Sequence, residues 1–456
     1  MSETPLELAD RALGHLGDED GQATVTRERS LLARFARSRP TQATQVEDLT
    51  VHVLVLHDGH PGTATTNRTD DEALRDAAAR AKAAAAAARR AAGAPGDHPG
   101  LPAPPATDAP EHAGFDAATA QLDAASAGAA LGLAFERCAE HGVEAFGAWT
   151  AGDVATALAS SRGVRASDRV TDAHMKVIAR DAEGRSGWGA QTAVAAADVD
   201  PDWVARRALE KLPREAPIEL GPGSYDVVLD RDAVGGLLEF LGWLAFDGLA
   251  HIEGRGAFDG KLGSAVAAPS ITITDDPFAR GTLPRAFDLE GTPKAPLALV
   301  DGGVARAVVH DSRSAARAGD GARSTGHALA PGGAPGGPMP TNLALAPGDA
   351  ADEHVLAAPI ERGLYVNRLW YLNVVHPKQV LLTGTTRDGT FLIEDGRITR
   401  PVRDVRFTDS VLRLLSETEQ LGAAPALTTE GDFYGRRFAM GTLAVPLRAR
   451  GLRVTG

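Results

Sequence analysis

Apolar and polar residues alternate along parts of the first half of the chain, in the pattern of half-buried β-strands. In residues 51–56, three valines fall on one face of such a strand, and a histidine and two leucines fall on the other. Two stretches, residues 36–81 and 159–212, contain the same features in the same order. Each begins with a small residue, a Ser and an Arg, continues with alternating strands around a glycine turn, and ends in a helix. We therefore predict an internal duplication of two strand-rich units, each packed against helices.

Helix signals accompany these strands. Thr69 can cap a helix, and Glu72, three residues later, can bond back to it in a capping box. The alanine-rich run that follows has a high helix propensity and ends at Gly93. A Pro-rich connector is predicted over residues 93–114, and a second helix over residues 115–141.

Short β runs dominate the chain after a Pro-Gly turn at Pro222. Asp-Gly pairs that begin at Asp301, Asp388 and Asp395 separate these runs and predict hairpins. The Gly- and Pro-rich residues 328–340 predict a mobile loop.

These patterns predict an α+β fold class with two domains. Residues 1–220 form an N-terminal α/β sandwich that contains the duplication, and residues 221–456 form a mostly antiparallel, β-rich domain. The C-terminal domain contains one apolar helix, predicted over residues 231–247, because AVGGLLEFLGWLAF has apolar residues at spacings of three and four. The single acid of this stretch, Glu239, could be a catalytic base, half of a metal site, or the remainder of a lost site.

Composition narrows the classes of function. The net charge of −13 disfavours a nucleic-acid-binding surface, because phosphate binding needs clustered Lys and Arg. Cys138 is the only cysteine, which excludes an intrachain disulfide and a Cys-rich zinc site. The acidic start MSETPLELAD has no signal-peptide core, and no run approaches the roughly 20 apolar residues of a membrane span. We expect a cytoplasmic protein that does not contact membranes.

Five C-terminal segments resemble the TldD/PmbA (TldE) family, once described as modulators of DNA gyrase. In chain order they are GPGSYDVVLD, GKLGSAVAAPSITITDDP, LVDGGVARAVVHDSRSAA, STGHALAP with PTNLALAPGD, and TGTTRDGTFLIEDGRITRPV. The duplicated units also fit that family, so the resemblance implies a TldD/PmbA-type fold for nearly the whole chain. In the family, TldD-like subunits are zinc peptidases with a His-Glu-x-x-x-His helix and a distant cysteine ligand. TldE/PmbA-like subunits lack these residues and pair with the first kind.

The resemblance places the motif helix on the apolar stretch. Glu239 then stands at the first His position, Phe240 at the Glu position and Leu244 at the second His position. A catalytic zinc ion usually needs three protein ligands and an open water position, and Phe240 cannot take a proton. The only thiol, Cys138, lies in the N-terminal half. We therefore predict no catalytic residue, metal ligand or cofactor in this chain, and zinc in a TldD-like partner. Glu239 is then a satisfied or partly exposed carboxylate.

Other chemistry-bearing residues are weaker candidates. His57 and His60 are predicted at a hairpin tip, and His251 and Glu253 in a loop beyond the apolar helix. No GxSxG elbow or phosphate-binding loop is present. Two segments resemble family regions near an extended peptide, which could bind by strand addition, and an Arg-Asp pair could line a cleft. The resulting candidates for peptide contact are Ser324, Thr325, His327, Thr341, Asn342, Arg387 and Asp388.

Three functions remain open from the sequence. The first is a non-catalytic TldE/PmbA-like subunit, which pairs with a zinc-bearing TldD-like peptidase and shapes a cleft for unfolded or leader peptides. The second is an active metallopeptidase with a divergent site, in which Glu239 joins His251 or His327. The third is a peptide-binding or regulatory homodimer without a peptidase partner. None of the three includes direct contact with nucleic acid.

Overall fold

The computed structural model describes residues 3–105, 109–319, 321–429 and 436–456. The fold class is α+β, as predicted. One six-stranded antiparallel sheet lies in the N-terminal part, and two further sheets with packed helices follow in the C-terminal part. No helix within these ranges is long and apolar enough to cross a membrane.

The N-terminal part repeats one unit of a helix, three strands and a helix. The first copy consists of α1 (Pro5–Gly14), β1 (Gly21–Ala36), β2 (Arg39–His57), β3 (His60–Thr66) and α2 (Asp71–Ala92). The second copy consists of α3 (Ala124–Glu140), β4 (Glu144–Ser160), β5 (Arg165–Arg180), β6 (Ser186–Ala193) and α4 (Pro201–Glu210). The structure thus contains the predicted duplication, and each copy also has a leading helix and strand that precede the predicted stretch.

These six strands form one antiparallel sheet in the order β3-β2-β1-β4-β5-β6. The two copies join where β1 pairs with β4, from Gln22 opposite Ser160 to Phe35 opposite Gly147. The valines of residues 51–56 are buried with residues of α1 and α2 on one face of the sheet. The leucines of the same stretch pack with Leu101 of the connector on the other face, so both faces of the strand are covered here, and not one face as in a half-buried strand.

The predicted start of α2 is wrong by one residue. Asp70 caps this helix, because its carboxylate accepts a hydrogen bond from the backbone N–H of Ala73, and the predicted box of Thr69 and Glu72 does not form. Asp is a stronger helix cap than Thr, and it follows Thr69 directly. The helix ends at Gly93 in a left-handed conformation with φ of 67°, as predicted.

The predicted start of α3 is also wrong. The helix begins after Asp123, whose carboxylate accepts from the backbone N–H of Ser126, and not at residue 115. Residues 119–121 form a separate single turn, so the apolar pattern that precedes Asp123 belongs to an irregular segment. Within the predicted connector of residues 93–114, residues 106–108 lie outside the described ranges.

The C-terminal part consists of many short elements. Its helices are α5 (Arg231–Ala245), α6 (Gly248–Ile252), α7 (Ser312–Ala318), α8 (Glu353–Ala357) and α9 (Val411–Ser416). Its strands are β7 (Gly223–Leu229), β8 (Ile273–Asp275), β9 (Leu297–Asp301), β10 (Val304–Ala305), β11 (Leu343–Leu345), β12 (Arg362–His376), β13 (Leu381–Glu394), β14 (Arg397–Pro401), β15 (Arg406–Ser410), β16 (Thr418–Leu421), β17 (Ala426–Thr428), β18 (Thr442–Ala444) and β19 (Leu447–Val454).

These strands form two sheets. One has the order β10-β9-β8-β11-β18-β17. In the other, β12-β7-β19-β15-β13 closes into a ring because β13 also pairs with β12, and β14 and β16 attach to β13 and β19. Only the β7–β12 and β11–β18 strand pairs are parallel among the described strands, so the predicted mostly antiparallel organisation is confirmed. α5 lies between the two sheets, and its buried residues share one core with strands of both.

One prediction for the C-terminal loops is wrong. The Asp388-Gly389 pair is not a turn but lies inside β13, where Asp388 has φ of 52° and the ladder to β12 is irregular nearby. Residues 328–340 contain no helix or strand, as their composition predicted, and all but residues 335 and 336 are buried or partly buried. Gly337, for example, approaches Asp247 so closely that a Cβ would lie 2.3 Å from its Oδ1 atom.

One buried arginine fastens the C-terminal part to the first sheet. The Arg437 guanidinium donates to both Asp172 carboxylate oxygens at 2.7 Å, and its backbone N–H donates to Glu28 at 2.9 Å. Such a two-pronged arginine–carboxylate pair fixes both distance and orientation. The two parts of the chain are therefore held in one arrangement at this point.

Candidate functional site

Helix α5 is packed unusually close to its neighbours. It begins after Asp230, whose carboxylate accepts a hydrogen bond from the backbone N–H of Arg231. A Cβ at Gly235 would lie 2.0 Å from the Thr428 hydroxyl oxygen in β17, whereas a Cβ at Gly236 would meet nothing nearer than 3.5 Å. Gly235 therefore lets the helix approach β17, and this approach sets the position of the residues one turn further along.

The three positions that the sequence aligned with a zinc motif lie on this helix. Glu239 is partly buried and lines a cleft of about 10 Å³ together with Trp243 and Thr341. That volume is about the minimum for one water molecule. The Phe240 ring packs against Trp243 with 5.3 Å between ring centroids, and Leu244 packs on the core. The helix thus presents one carboxylate, one aromatic ring and one aliphatic side chain.

These side chains do not fit a zinc ion. In the part of the chain that the structure describes, no group of three or more His, Cys, Asp or Glu side chains is placed to hold a metal. His251 lies in α6, a short helix and not the predicted loop, and the structure does not combine it with Glu239 and His327 into a ligand set. Cys138 is buried in α3, where burial raises the pKa of its thiol to about 11.

Five of the seven predicted peptide-contact residues belong to one buried hydrogen-bond network. Asp275, at the end of β8, accepts from the His327 Nε2 at 2.8 Å and from the Asn342 backbone N–H at 2.7 Å. The Lys294 ammonium lies 3.4 Å from the same carboxylate and donates to the Gly326 carbonyl at 3.1 Å. Asp275, His327 and Asn342 are at most 1% exposed, and Lys294 is 3% exposed.

The charges of this network determine the protonation of His327. Burial alone would raise the pKa of Asp275, but the Lys294 ammonium and the His327 hydrogen bond outweigh it and hold this pKa below its usual range. Burial lowers the pKa of His327, and Lys294 lowers it further. Because an ionised carboxylate only accepts, the neutral imidazole donates from Nε2 to Asp275, and its Nδ1 accepts from the Thr325 hydroxyl at 2.9 Å.

The other members hold the neighbouring loops. The Thr341 hydroxyl donates to the Asn342 Oδ1 at 2.8 Å, and the Asn342 amide donates to the Leu283 carbonyl at 2.7 Å. Among the five candidates only Ser324 and Thr325 are partly exposed. Thr341 lines both the Glu239 cleft and a cavity of about 20 Å³ beside His327, so the motif helix and the network are adjacent.

The other two candidates, Arg387 and Asp388, belong to a different cluster where β13 meets β6. Asp388 accepts from the Ser186 hydroxyl at 2.6 Å and lies 2.9 Å from the Arg368 guanidinium. Asp388 is buried, whereas Arg387 is exposed and stacks over the Trp370 ring at 5.5 Å from its centroid. The structure therefore divides the predicted contact residues into a buried network and a partly exposed seam between the two parts of the chain.

Sequence reasoning missed the centre of the network. Asp275 and Lys294 were not singled out, although a polar Asp at the end of an apolar β run and a Lys between two prolines were the available signals. His60 lies at the predicted hairpin tip, where its Nε2 contacts the Ala94 carbonyl at 2.7 Å. Glu253 forms a surface ion pair with Arg255 at 2.7 Å.

Three family models match most of the chain. The PmbA/TldA metallopeptidase C-terminal domain matches residues 222–456, more than half of the chain. Domain 1 of the same family matches residues 23–85, and its central domain matches residues 108–214.

Sequence relatives agree with these models over part of their length. A metalloprotease of Methanothermobacter thermautotrophicus is 29% identical over 226 residues, which are 49% of this chain and 48% of the relative. A metalloprotease TldD homolog of Haemophilus influenzae is 27% identical over 213 residues, 44% of this chain and 39% of the relative. The match spans less than half the length of either relative.

Solved structures share the fold along the whole chain. A protein of Thermotoga maritima described as a modulator of a DNA gyrase has a TM-score of 0.85 at 20% identity, covering 99% of this chain and all of the other. TldE from Thermococcus kodakarensis has a TM-score of 0.84 at 18% identity, covering 98% of this chain and 99% of the other. At these identities the likeness concerns the fold alone.

Proposed function

This chain belongs to the PmbA/TldD family of metallopeptidase-like proteins, and we propose that it is a non-catalytic, TldE/PmbA-like subunit of that family. In this role it pairs with a zinc-bearing, TldD-like subunit and shapes the cleft that holds an unfolded or leader peptide. The chain itself carries no zinc, and the metal that hydrolyses the peptide belongs to the partner.

The observation that carries the proposal is the chemistry of α5. Its three motif positions, Glu239, Phe240 and Leu244, offer one carboxylate and no imidazole, and the cleft beside Glu239 holds about 10 Å³. A hydrolytic zinc site needs about three ligands, an open position for water and a base beside it. A helix with this composition supplies packing next to a cleft and not a nucleophile.

The neighbouring network supports a role in peptide contact. Asp275, Lys294 and His327 are buried and hold the segment that carries the partly exposed Ser324 and Thr325. A rigid segment with small polar side chains suits contact with the backbone of an extended peptide. Arg387, exposed over Trp370, contributes a positive charge at the second cluster.

The first experiment measures zinc content and peptide hydrolysis, on the purified chain alone and on its complex with a co-expressed TldD-like subunit. We expect no zinc and no hydrolysis from the lone chain, and both from a stable complex. The matched control is a complex whose TldD-like subunit has lost the motif glutamate, which should keep zinc and lose hydrolysis. Stoichiometric zinc and cleavage by the lone chain would overturn the proposal, and Glu239→Gln would then be the next variant.

A second experiment tests peptide contact by this chain within the complex. Arg387→Ala should raise KM severalfold and leave zinc content unchanged, because the side chain is exposed and distant from any motif position in sequence. Arg403→Ala is the control, since Arg403 is also a surface arginine and pairs with the exposed Glu219. Equal KM values for both variants would remove Arg387 from the contact surface.

A further inference from the structure

Half of the outer edge of β2 in the N-terminal sheet is not paired with any strand that the structure describes. β3 pairs with β2 only over residues 51–57, from Val51 opposite Thr66 to His57 opposite His60. The first half of β2, residues 39–50, pairs with β1 on its inner side. On its outer side, no backbone hydrogen bond reaches residues 39–50 from any part of the chain that the structure describes.

The second copy of the duplicated unit shows what covers the equivalent edge there. β6 pairs with the second half of β5, as β3 does with β2. Near the end of the remaining half of β5, the Thr171 N–H donates to the Gly114 carbonyl at 2.8 Å, and the Asp168 carboxylate accepts from the Ala286 N–H at 3.0 Å. The connector and a C-terminal loop therefore occupy the edge of one copy, whereas no backbone group of the described residues pairs with the equivalent edge of the other.

This edge of β2 lacks most of the features that prevent an exposed strand edge from pairing with another strand. A proline and a register shift stand at one end, at Pro40 opposite Phe35. The centre, residues 42–46, reads QATQV and contains no charge and no proline. Apart from one half-buried threonine, residues 39–47 are exposed. Proteins usually block long edges with lysine, proline or a covering segment, because an open row of N–H and C=O groups pairs with another strand.

The charges at its two ends make this edge complementary to itself. Arg39 stands at one end, and no ion pair involves it within the described ranges. Glu47 stands at the other end, where its side chain is 65% exposed and lies 3.5 Å from Arg29. The next residue, Asp48, pairs within the chain with Arg436 at 3.2 Å. In an antiparallel, two-fold arrangement centred on Ala43, Arg39 of each copy faces Glu47 of the other.

We propose that the chain self-associates through this edge, with β2 of two copies pairing antiparallel into one continuous sheet. A two-fold pairing of this kind uses the same surface on both copies and therefore closes at a dimer. A groove of about 250 Å³ lies beside the edge, between β2 and α3, and is lined mainly by apolar and small residues such as Leu31, Ala127 and Leu131. The side chains of the added strand that face α3 would cover this apolar groove. This association is separate from pairing with a peptidase subunit.

Sedimentation equilibrium of the full chain, without any partner, tests the proposal. We expect a monomer–dimer equilibrium whose Kd rises roughly tenfold in Arg39→Glu and in Glu47→Arg, because each places like charges opposite each other at two symmetric contacts. The combined R39E/E47R variant restores the opposition of charges and should return Kd to that of the wild type. Arg403→Glu, a charge reversal on the C-terminal surface, is the matched control and should leave Kd unchanged.

Hydrogen exchange of the backbone amides tests strand pairing at this edge directly. In the dimer, alternate amides of residues 42–47 should gain protection, and dilution to the monomer should remove it. A lone chain that stays monomeric, or a dimer whose Kd neither charge reversal alters, overturns the proposal. Protection that appears only when a TldD-like subunit is added also overturns it, since the edge then belongs to that subunit. The peptidase assays are not involved, so this proposal and the proposed function fail separately.

Discussion

Replacing Asp275 by Asn removes the charge at the centre of the buried network and keeps the shape of the side chain. In the wild type its carboxylate accepts from His327 and Asn342 and lies 3.4 Å from the Lys294 ammonium. In the variant that ammonium, whose side chain is 2% exposed, keeps the Gly326 carbonyl as an acceptor and the electrostatic attraction of Asp288, but loses its ion-pair partner. An uncompensated charge in such a site is strongly destabilising.

The size of the effect follows from the two ways in which Lys294 can respond. If it stays charged, breaking a buried ion pair costs about 3–5 kcal/mol. If it loses its proton at pH 7, the cost of neutralising a lysine of ordinary pKa is about 4.6 kcal/mol. We therefore expect Asp275→Asn to lower the free energy of unfolding by about 3–5 kcal/mol at pH 7.

The pH dependence separates this mechanism from simple loss of packing. Burial already lowers the pKa of Lys294 in the folded wild type, while the Asp275 carboxylate raises it. Without that carboxylate, the pKa of Lys294 in the folded variant is lower still, and lies further below that of the unfolded chain. Between those two pKa values the folded chain binds fewer protons, so the stability of the variant rises with pH, by at most about 1.4 kcal/mol per unit. The deficit relative to the wild type should therefore shrink between pH 7 and pH 9.

Urea unfolding followed by tryptophan fluorescence gives the free energies, and an unchanged m-value shows that the same transition is compared. Asp301→Asn is the control: its carboxylate is 57% exposed and pairs with Arg306 at 3.3 Å, so its loss should cost less than about 1 kcal/mol. Asp275→Asn combined with Lys294→Met should recover part of the lost stability, because no charge is then left unpaired. A single variant within about 1 kcal/mol of the wild type, or a double variant no more stable than the single one, would refute the reasoning.

Two further predictions concern α5 and the turn after it. Gly235→Ala should destabilise the fold by about 1–3 kcal/mol, because its Cβ would meet the Thr428 hydroxyl. Gly236→Ala, one residue away with free space, is the control and should be neutral or stabilising by up to about 1 kcal/mol. Equal shifts of the Tm in the two variants would contradict this packing. Burial raises the pKa of Asp247 to about 6, so the folded chain holds a proton that the unfolded chain has lost, and its contribution to stability falls as pH rises from about 4 to 6. Asp247→Asn should therefore gain stability relative to the wild type across that range, as measured by Tm at each pH, and parallel Tm curves would exclude this role.

The outcomes at individual residues show where local reasoning suffices. The hairpin at Asp395-Gly396 forms as predicted, because a left-handed Asp-Gly pair twists in the same sense as the strands it joins. The identical signal at Asp388-Gly389 does not reverse the chain, because β13 pairs with β12 both before and after it, and the pair forms an irregularity within the strand. The cap of α2 is Asp70 and not Thr69, because both adjacent residues can cap and Asp is the stronger cap.

The sequence by itself determined the alternation of the strands, the duplication, the apolar helix and the absence of histidine from that helix. The pattern predicts this helix over residues 231–247, and it is observed over residues 231–245. These features depend on residues near one another in the chain, where the periods of helix and strand are read directly. Only the tertiary structure decided that Asp275, Lys294 and His327 form one buried network, and that β3 pairs with only half of β2. Both depend on contacts between residues that are tens of positions apart in the chain, and on how far one strand extends along another. No local sequence pattern encodes such contacts.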